Sequence, residues 1–421
     1  MTSPTATLPD LNRPRRSRRP QIPGRSRRLP GTASFYLLAS IVVAFLAGSS
    51  APTPLYAIYQ AEWGFSPITV TLVFGVYALA VLAALLTVGS LSDHVGRRPV
   101  LIAAIAVQAA TMIAFAAADG VPALMAARVL QGLSTGAAAG AIGAGMLDLN
   151  QAKGAITNAV GPMLGTATGA LGSGLLVQYL PAPTHLVYLA LFGIFVLQGV
   201  GVLLMSETSS PRPGALASLR LQFALPPAAR RPLLLAVPAL TAAWALAGFY
   251  GSLGPTVVRM VAGSNSFVLG GLALFALAAS GGAVVLLLRA RAPRTLMFVG
   301  TVGLFVGVGL TLLAIAVTSE TLFFAGTVVA GAGFGAGFQG AIRTVIPLAS
   351  PHERAGVLSL IYVVSYLAMG LPAVIAGFLV VHAGGVLTTA REYGVAVMAL
   401  AALALLGLLL TRPARPRPLP A

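Results

Sequence analysis

Long apolar runs separated by short polar breaks are the dominant pattern along this chain. Twelve such runs can be marked, at about 34–54, 67–90, 99–118, 121–146, 156–180, 185–206, 234–258, 266–289, 295–317, 321–345, 355–382 and 391–411. A helix that crosses the hydrocarbon layer needs roughly 20 mostly apolar residues. A membrane barrel would instead show ten-residue segments alternating between apolar and polar positions. Stretches such as AVMALAALALLGLLL (396–410) do not alternate. The pattern therefore predicts an all-α polytopic membrane protein with twelve transmembrane helices.

The polar breaks carry an uneven charge. With the N-terminus placed in the cytoplasm, the inward segments hold 23 of the 26 basic residues. Arg259 and Arg391 fall in outward loops, and Arg128 falls inside the fourth run. This is the positive-inside bias, and it places both termini in the cytoplasm. The longest interior break, 207–233, is Pro-rich and basic and divides the runs six and six. The expected organisation is a basic disordered tail (1–33), a six-helix bundle (34–206), a cytoplasmic linker (207–233), a second six-helix bundle (234–411) and a short cytoplasmic tail (412–421). A weak repeat agrees with the division: Gly132 and Gly136 of RVLQGLSTGAAAG match Gly331 and Gly335 of TVVAGAGFGAGFQ.

Composition removes whole classes of function. Of 421 residues, 57% are hydrophobic and 8% charged, with mean hydropathy +0.91, too few charges for a soluble surface. The net charge of +17 does not point to nucleic acid, because the eight Arg before residue 29 have no interleaved aromatics. That Pro/Ser-rich tail is expected to be disordered beside anionic lipid. No Cys is present, so there is no disulfide, thiol nucleophile or Cys-ligated metal. GLSTG (132–136) matches a nucleophile-elbow pattern but lies within a helix, and GAGFQG (335–340) lacks the preceding strand of a dinucleotide fold. No H-E-x-x-H or P-loop occurs. No cofactor, metal or enzymatic activity is expected.

One break concentrates chemistry. GSLSDHVGRRPVL (89–101) lies between the second and third runs. Gly89 and Gly96 remove side chains where helices approach closely. Asp93 is placed to accept from the N–H groups that begin the eleventh helix, latching one half to the other. Arg97 needs an acid, and Asp148 at the end of the fourth run is the expected partner. The stretch resembles the loop 2–3 signature of the major facilitator superfamily through Gly89, Leu91, Asp93, Gly96, Arg97, Arg98 and Leu101. ARVLQGLSTG in the fourth run resembles the same family's R-x-x-Q-G pattern through Arg128, Gln131 and Gly132. The resemblance implies two pseudo-symmetric six-helix bundles, transport by alternating access, a gate at 89–98 with Asp148, and a coupling or cavity role for Arg128, Gln131 and Gly132. Snorkelling to the nearby surface is the alternative reading of Arg128.

The chain also departs from that family. GTATGALGSG in the fifth run resembles a degraded drug/proton antiporter motif: Gly165, Gly169 and Gly174 are kept as a packing face, Ala170 stands for Pro, and Ser173 stands for Gly. All nine acids lie at run ends or in loops, so no buried proton carrier is expected. Loop 8–9 has Arg289, Arg291 and Arg294 but no Asp, while ASPHERAG in loop 10–11 looks like the family's usual segment.

Candidate cavity residues are Tyr36, Tyr77, Gln108, Trp244, Tyr250, Gln339, Tyr362 and Tyr366, with packing or an interfacial belt as the alternative for each. One intramembrane Arg and no buried acid favour a lipophilic neutral or anionic substrate. The expected function is secondary active efflux of a small molecule, with protons as a candidate partner. An importer or uniporter of the same fold, or a transporter-like sensor, is the alternative. A monomer in a bacterial inner membrane is expected.

Overall fold

The computed structural model describes residues 28–221, 223–350 and 352–411. Most of the basic N-terminal tail and the C-terminal tail fall outside the described residues. Within them the chain forms twelve long helices: α1 (Gly31–Trp63), α2 (Pro67–Thr87), α3 (Arg97–Ala116), α4 (Val121–Leu149), α5 (Gln151–Tyr179), α6 (Pro183–Leu204), α7 (Pro227–Ser252, continuing as Gly254–Ala262), α8 (Phe267–Leu287), α9 (Pro293–Val317), α10 (Glu320–Leu348), α11 (Arg354–His382) and α12 (Gly385–Leu410). Among the described residues, eleven are long and apolar enough to cross a membrane. The other, α4, spans 29 residues but carries Arg128, Gln131, Ser134, Thr135 and Asp148, and those polar residues lower its hydropathy. The remaining α-helices are single turns, Ser92–Val95 and Ala215–Ser218.

Local chemistry sets the helix ends. Proline stands near the start of α2, α4, α6, α7 and α9, where its missing N–H costs nothing. Asn150 caps α5 through its side chain, and Ser319 caps α10. Two boundaries differ from the sequence expectation. Helix α7 continues past Ser252 as Gly254–Ala262, which takes in Arg259, and α12 begins at Gly385, so that Arg391 lies on its exposed face rather than in a loop.

Each half has its own apolar core. Leu38, Phe45, Leu101, Met112, Leu124 and Phe195 anchor the first. Phe249, Leu253, Leu277, Leu304 and Phe323 anchor the second. The halves meet along α2–α11 and α5–α8. Ala78 packs with Met369 and Ala373, and Gly271 of α8 seats directly on the Ala170 carbonyl of α5. Here Ala170, in place of the antiporter motif's Pro, is fully buried at the seam.

We distinguish the basic end, which carries the 89–98 turn and the linker, from the sparse end opposite. Both hydrogen bonds that join the halves among the described residues lie at the sparse end. The Thr53 hydroxyl donates to the Gly251 carbonyl at 3.2 Å, and the Phe267 N–H donates to Gln178 Oε1 at 3.0 Å. Nearer the basic end, Met163 and Val160 of α5 pack against Gly281 and Gly282 of α8. The structure is thus held closed at the sparse end.

Candidate functional site

The central polar cluster begins with a proline in α1. A helical N–H bonds the carbonyl four residues earlier, so Pro52 leaves the Gly48 carbonyl without its partner. Helix α1 breaks there, at Ala51. Gln131 of α4 fills the gap: its Nε2 donates to the Gly48 carbonyl at 2.9 Å. Arg128, one turn earlier on α4, donates from Nη1 to the Ser49 carbonyl at 2.9 Å and to Gln131 Oε1 at 2.6 Å. Its Nε donates to the Tyr56 hydroxyl at 3.1 Å, and Nη2 donates to the same oxygen. The R-x-x-Q spacing therefore places two donors one helical turn apart, facing the broken stretch of α1. Gly132 lets α4 approach α2, since a Cβ there would lie 2.6 Å from Ala80.

Arg128 is fully buried, which excludes snorkelling. The rings of Tyr77, Tyr56 and Phe115 lie 5.2, 5.6 and 5.8 Å from its guanidinium carbon. A buried cation normally requires an anionic partner. Among the described residues Arg128 has none, and only carbonyls, an amide, a phenol and ring faces meet it. Gln108 sits beyond, accepting from Ser134, with its own Nε2 buried and without a partner.

The opposing half presents an aromatic face. Trp244 of α7 packs against Phe338 (5.3 Å between ring centroids), Tyr366 (5.3 Å) and Phe334 (5.9 Å), with Tyr362 one turn from Tyr366. All five rings are half-buried. Trp244 Nε1 and Ser365 Oγ are buried without hydrogen-bond partners. Trp244 and Tyr366 also touch the Phe74–Ala78 face of α2, so this face adjoins the seam between the halves. Phe334 and Phe338 were not singled out from the sequence, although their four-residue spacing on α10 puts them on one helix face.

The structure separates the other cavity candidates. Gln339 is half-buried on α10 beside Phe338. Tyr250 lies inside the second bundle, bonded to the Thr327 hydroxyl at 2.7 Å and packed on Phe249 and Phe323, so it is part of the packing. Tyr36 is 60% exposed on the first turns of α1 and packs edge-on against Phe35. Gly165 and Gly169 seat α5 on the Val43 and Ala47 carbonyls of α1, and Gly174 faces Phe267 and Val268 of α8.

At the basic end, Arg97 is the hub. It pairs with Asp93, reaches Asp148 at 3.3 Å, and donates to Ser92 Oγ at 2.8 Å. Gly96 has φ +103°, and a Cβ there would strike the Glu207 carboxylate. Glu207 accepts from the backbone N–H of Arg97 (2.9 Å) and Arg98 (3.0 Å), capping α3. Arg98 in turn donates to the Val202 and Leu203 carbonyls that end α6. Gly89 is packed by Gly140 of α4. The expected latch from Asp93 to α11 is not made. The linker intervenes: Arg212 N–H donates to the His94 carbonyl at 2.8 Å, Ser90 donates to the Ser218 carbonyl, and Ala224 packs on Gly356 of α11. Every charged contact of Asp93 stays within the first half. In loop 10–11 the Ser350 hydroxyl and N–H bond Glu353 and hold its carboxyl below the usual carboxylate range.

Residues 36–308 match the family described as Major Facilitator Superfamily. No curated protein matches the sequence. Among solved structures, the chain is similar to a mutant of the nucleoside transporter NupG, with TM-score 0.65 and 13% identity over 90% of this chain and 98% of that one. At that identity the likeness speaks for the fold alone.

Proposed function

Because the chain belongs to the Major Facilitator Superfamily, we propose that it is a secondary transporter that exports a small lipophilic neutral or anionic molecule by alternating access. The observation that carries the substrate class is the pairing of Arg128, buried with no acid beside it, and a half-buried aromatic face at the seam between the halves. A cationic substrate would meet one fixed positive charge and no compensating carboxylate, at a cost of several kcal/mol in a low-dielectric site. A planar neutral or anionic molecule would find stacking surface on Trp244 and Tyr366 and a donor in the Trp244 indole N–H. The basic end lies in the cytoplasm in this reading, by the distribution of Arg and Lys. Export is favoured by the small-residue face of Gly165, Gly169 and Gly174, kept from an antiporter-like motif.

Transport into proteoliposomes tests the proposal, using a panel of planar neutral, anionic and permanently cationic compounds, each with and without a pH gradient. Nucleosides belong in the neutral arm, given the structural likeness to a nucleoside transporter. The expected result is transport of neutral or anionic members. Best transport of the permanent cations would overturn the substrate class. The gradient arm decides proton coupling, for which no described acid deep in a helix offers a carrier.

A further inference from the structure

Between the halves at the sparse end lies a cavity of about 40 Å³. From α1 it is lined by Thr53, Tyr56 and Gln60, and from α7 by Ser252, Thr256 and Arg259. No carboxylate is among its lining residues. Glu62, the acid nearest in sequence to its α1 wall, is exposed and does not line it.

The donors and acceptors around this cavity are unbalanced. The Tyr56 oxygen accepts two N–H groups from Arg128, so its own proton must point away from that guanidinium. Arg259 uses Nε on the Pro255 carbonyl at 3.2 Å and rests 5.7 Å from the Phe267 ring centroid. Its Nη groups have no acceptor among the described residues. The Thr256 hydroxyl and Gln60 amide have none either. Two cations, one fully buried and one half-buried, flank this wall with no acid to balance them.

We propose that this cavity binds a small monovalent anion of halide size, held by Arg259 and the Tyr56 O–H and bridging α1 and α7. The volume excludes a transported molecule, since drug-sized ligands occupy hundreds of Å³, whereas a few water-sized sites fit in 40 Å³. Both halves supply the walls, so the anion binds the state closed at the sparse end and stabilises it by mass action. The effect on opening rests on the alternating-access reading, while the binding does not.

The test uses the full-length protein in detergent, titrated with chloride or bromide against gluconate at constant ionic strength. A saturable rise in melting temperature with halide is expected. It should be lost in Arg259→Gln and kept in Arg391→Gln, which removes an exposed charge at the same end. An equal melting temperature in halide and gluconate overturns the proposal, and so does an unchanged halide response in Arg259→Gln. Should Arg259→Gln not fold, anomalous scattering from bromide in wild-type crystals decides: a peak between Arg259 and Tyr56 supports the site and its absence overturns it. Labelling by an impermeant maleimide of Thr71→Cys, a position buried against Gly377 of α11 at the sparse end and outside the cavity lining, then reads the opening. A several-fold slower reaction in halide is expected. An unchanged rate overturns the link to closure, whether or not any compound of the transport panel is carried.

Discussion

The Thr53 hydroxyl donates to the Gly251 carbonyl, and that carbonyl is the one Pro255 leaves without a helical partner. A defect in α7 of one half is thus repaired by a side chain on α1 of the other. The repair is available only while the sparse end is closed. When the halves part there, water must replace the threonine. The same device operates inside the first half, where Pro52 frees Gly48 and Gln131 repairs it. The two proline breaks therefore divide the labour: one is repaired permanently, the other conditionally.

Thr53→Val removes the conditional repair. A neutral hydrogen bond contributes about 1 kcal/mol, so the closed-to-open ratio at the sparse end should fall about five-fold. Maleimide labelling of Thr71→Cys, buried at the α2–α11 seam, should accelerate accordingly. Pro255→Ala restores a helical N–H for Gly251, so Thr53→Val should have little effect in that background. An equal effect in both backgrounds would remove Gly251 from the account.

Gln131→Leu leaves the Gly48 carbonyl buried and unpaired. The cost should be about 1–3 kcal/mol, read as a lower melting temperature in detergent. Pro52→Ala should recover part of it by returning the N–H to α1. Arg128→Lys should not substitute for Arg128, because an ammonium cannot serve the Ser49 carbonyl, Gln131 and the Tyr56 hydroxyl from one planar fork. Transport in that variant should be lost or strongly reduced.

Glu207→Ala uncaps α3 and should cost about 1 kcal/mol, with Glu207→Gln intermediate because an amide oxygen still accepts but carries no charge. Melting curves of the two variants, measured side by side, check the order.

The Glu353 carboxyl, held below its usual range by Ser350, is ionised throughout the neutral region. A depressed acid contributes stability that is complete above its unfolded-state pKa and lost as pH falls through the folded one. Glu353→Gln should therefore leave the shape of any transport–pH profile between pH 6 and 8 unchanged. A profile that flattens in this variant would contradict the assignment.

The twelve helices were legible because each needs only a local run of apolar residues, and the Arg97–Asp148 contact because a charge at a helix end seeks its complement. Gln131 as the repair for Gly48 was partly legible: a proline in an apolar run announces an orphaned carbonyl four residues back, though not which helix answers it. The capping role of Glu207 and the linker between Asp93 and α11 depend on where the chain returns after α6, which no local pattern encodes. The choice between cavity and packing for Tyr36 and Tyr250 was not legible for a related reason. An aromatic residue in an apolar run can face lipid, core or cavity, and only the packing of neighbouring helices selects among them. Phe334 and Phe338 carry no polar atom to mark them in the sequence, yet they complete the face that Trp244 presents.

Alternating access is the central claim, and paired distances test it most directly. The native chain has no Cys, so spin labels can be placed at Tyr179→Cys with Asn265→Cys at the sparse end, and at Lys153→Cys with Arg291→Cys at the basic end. These positions are exposed and sit on opposite halves. Addition of a transported compound should lengthen the first distance in a fraction of molecules and shorten the second in the same fraction. Two distances that stay fixed, or that lengthen together, would contradict the account.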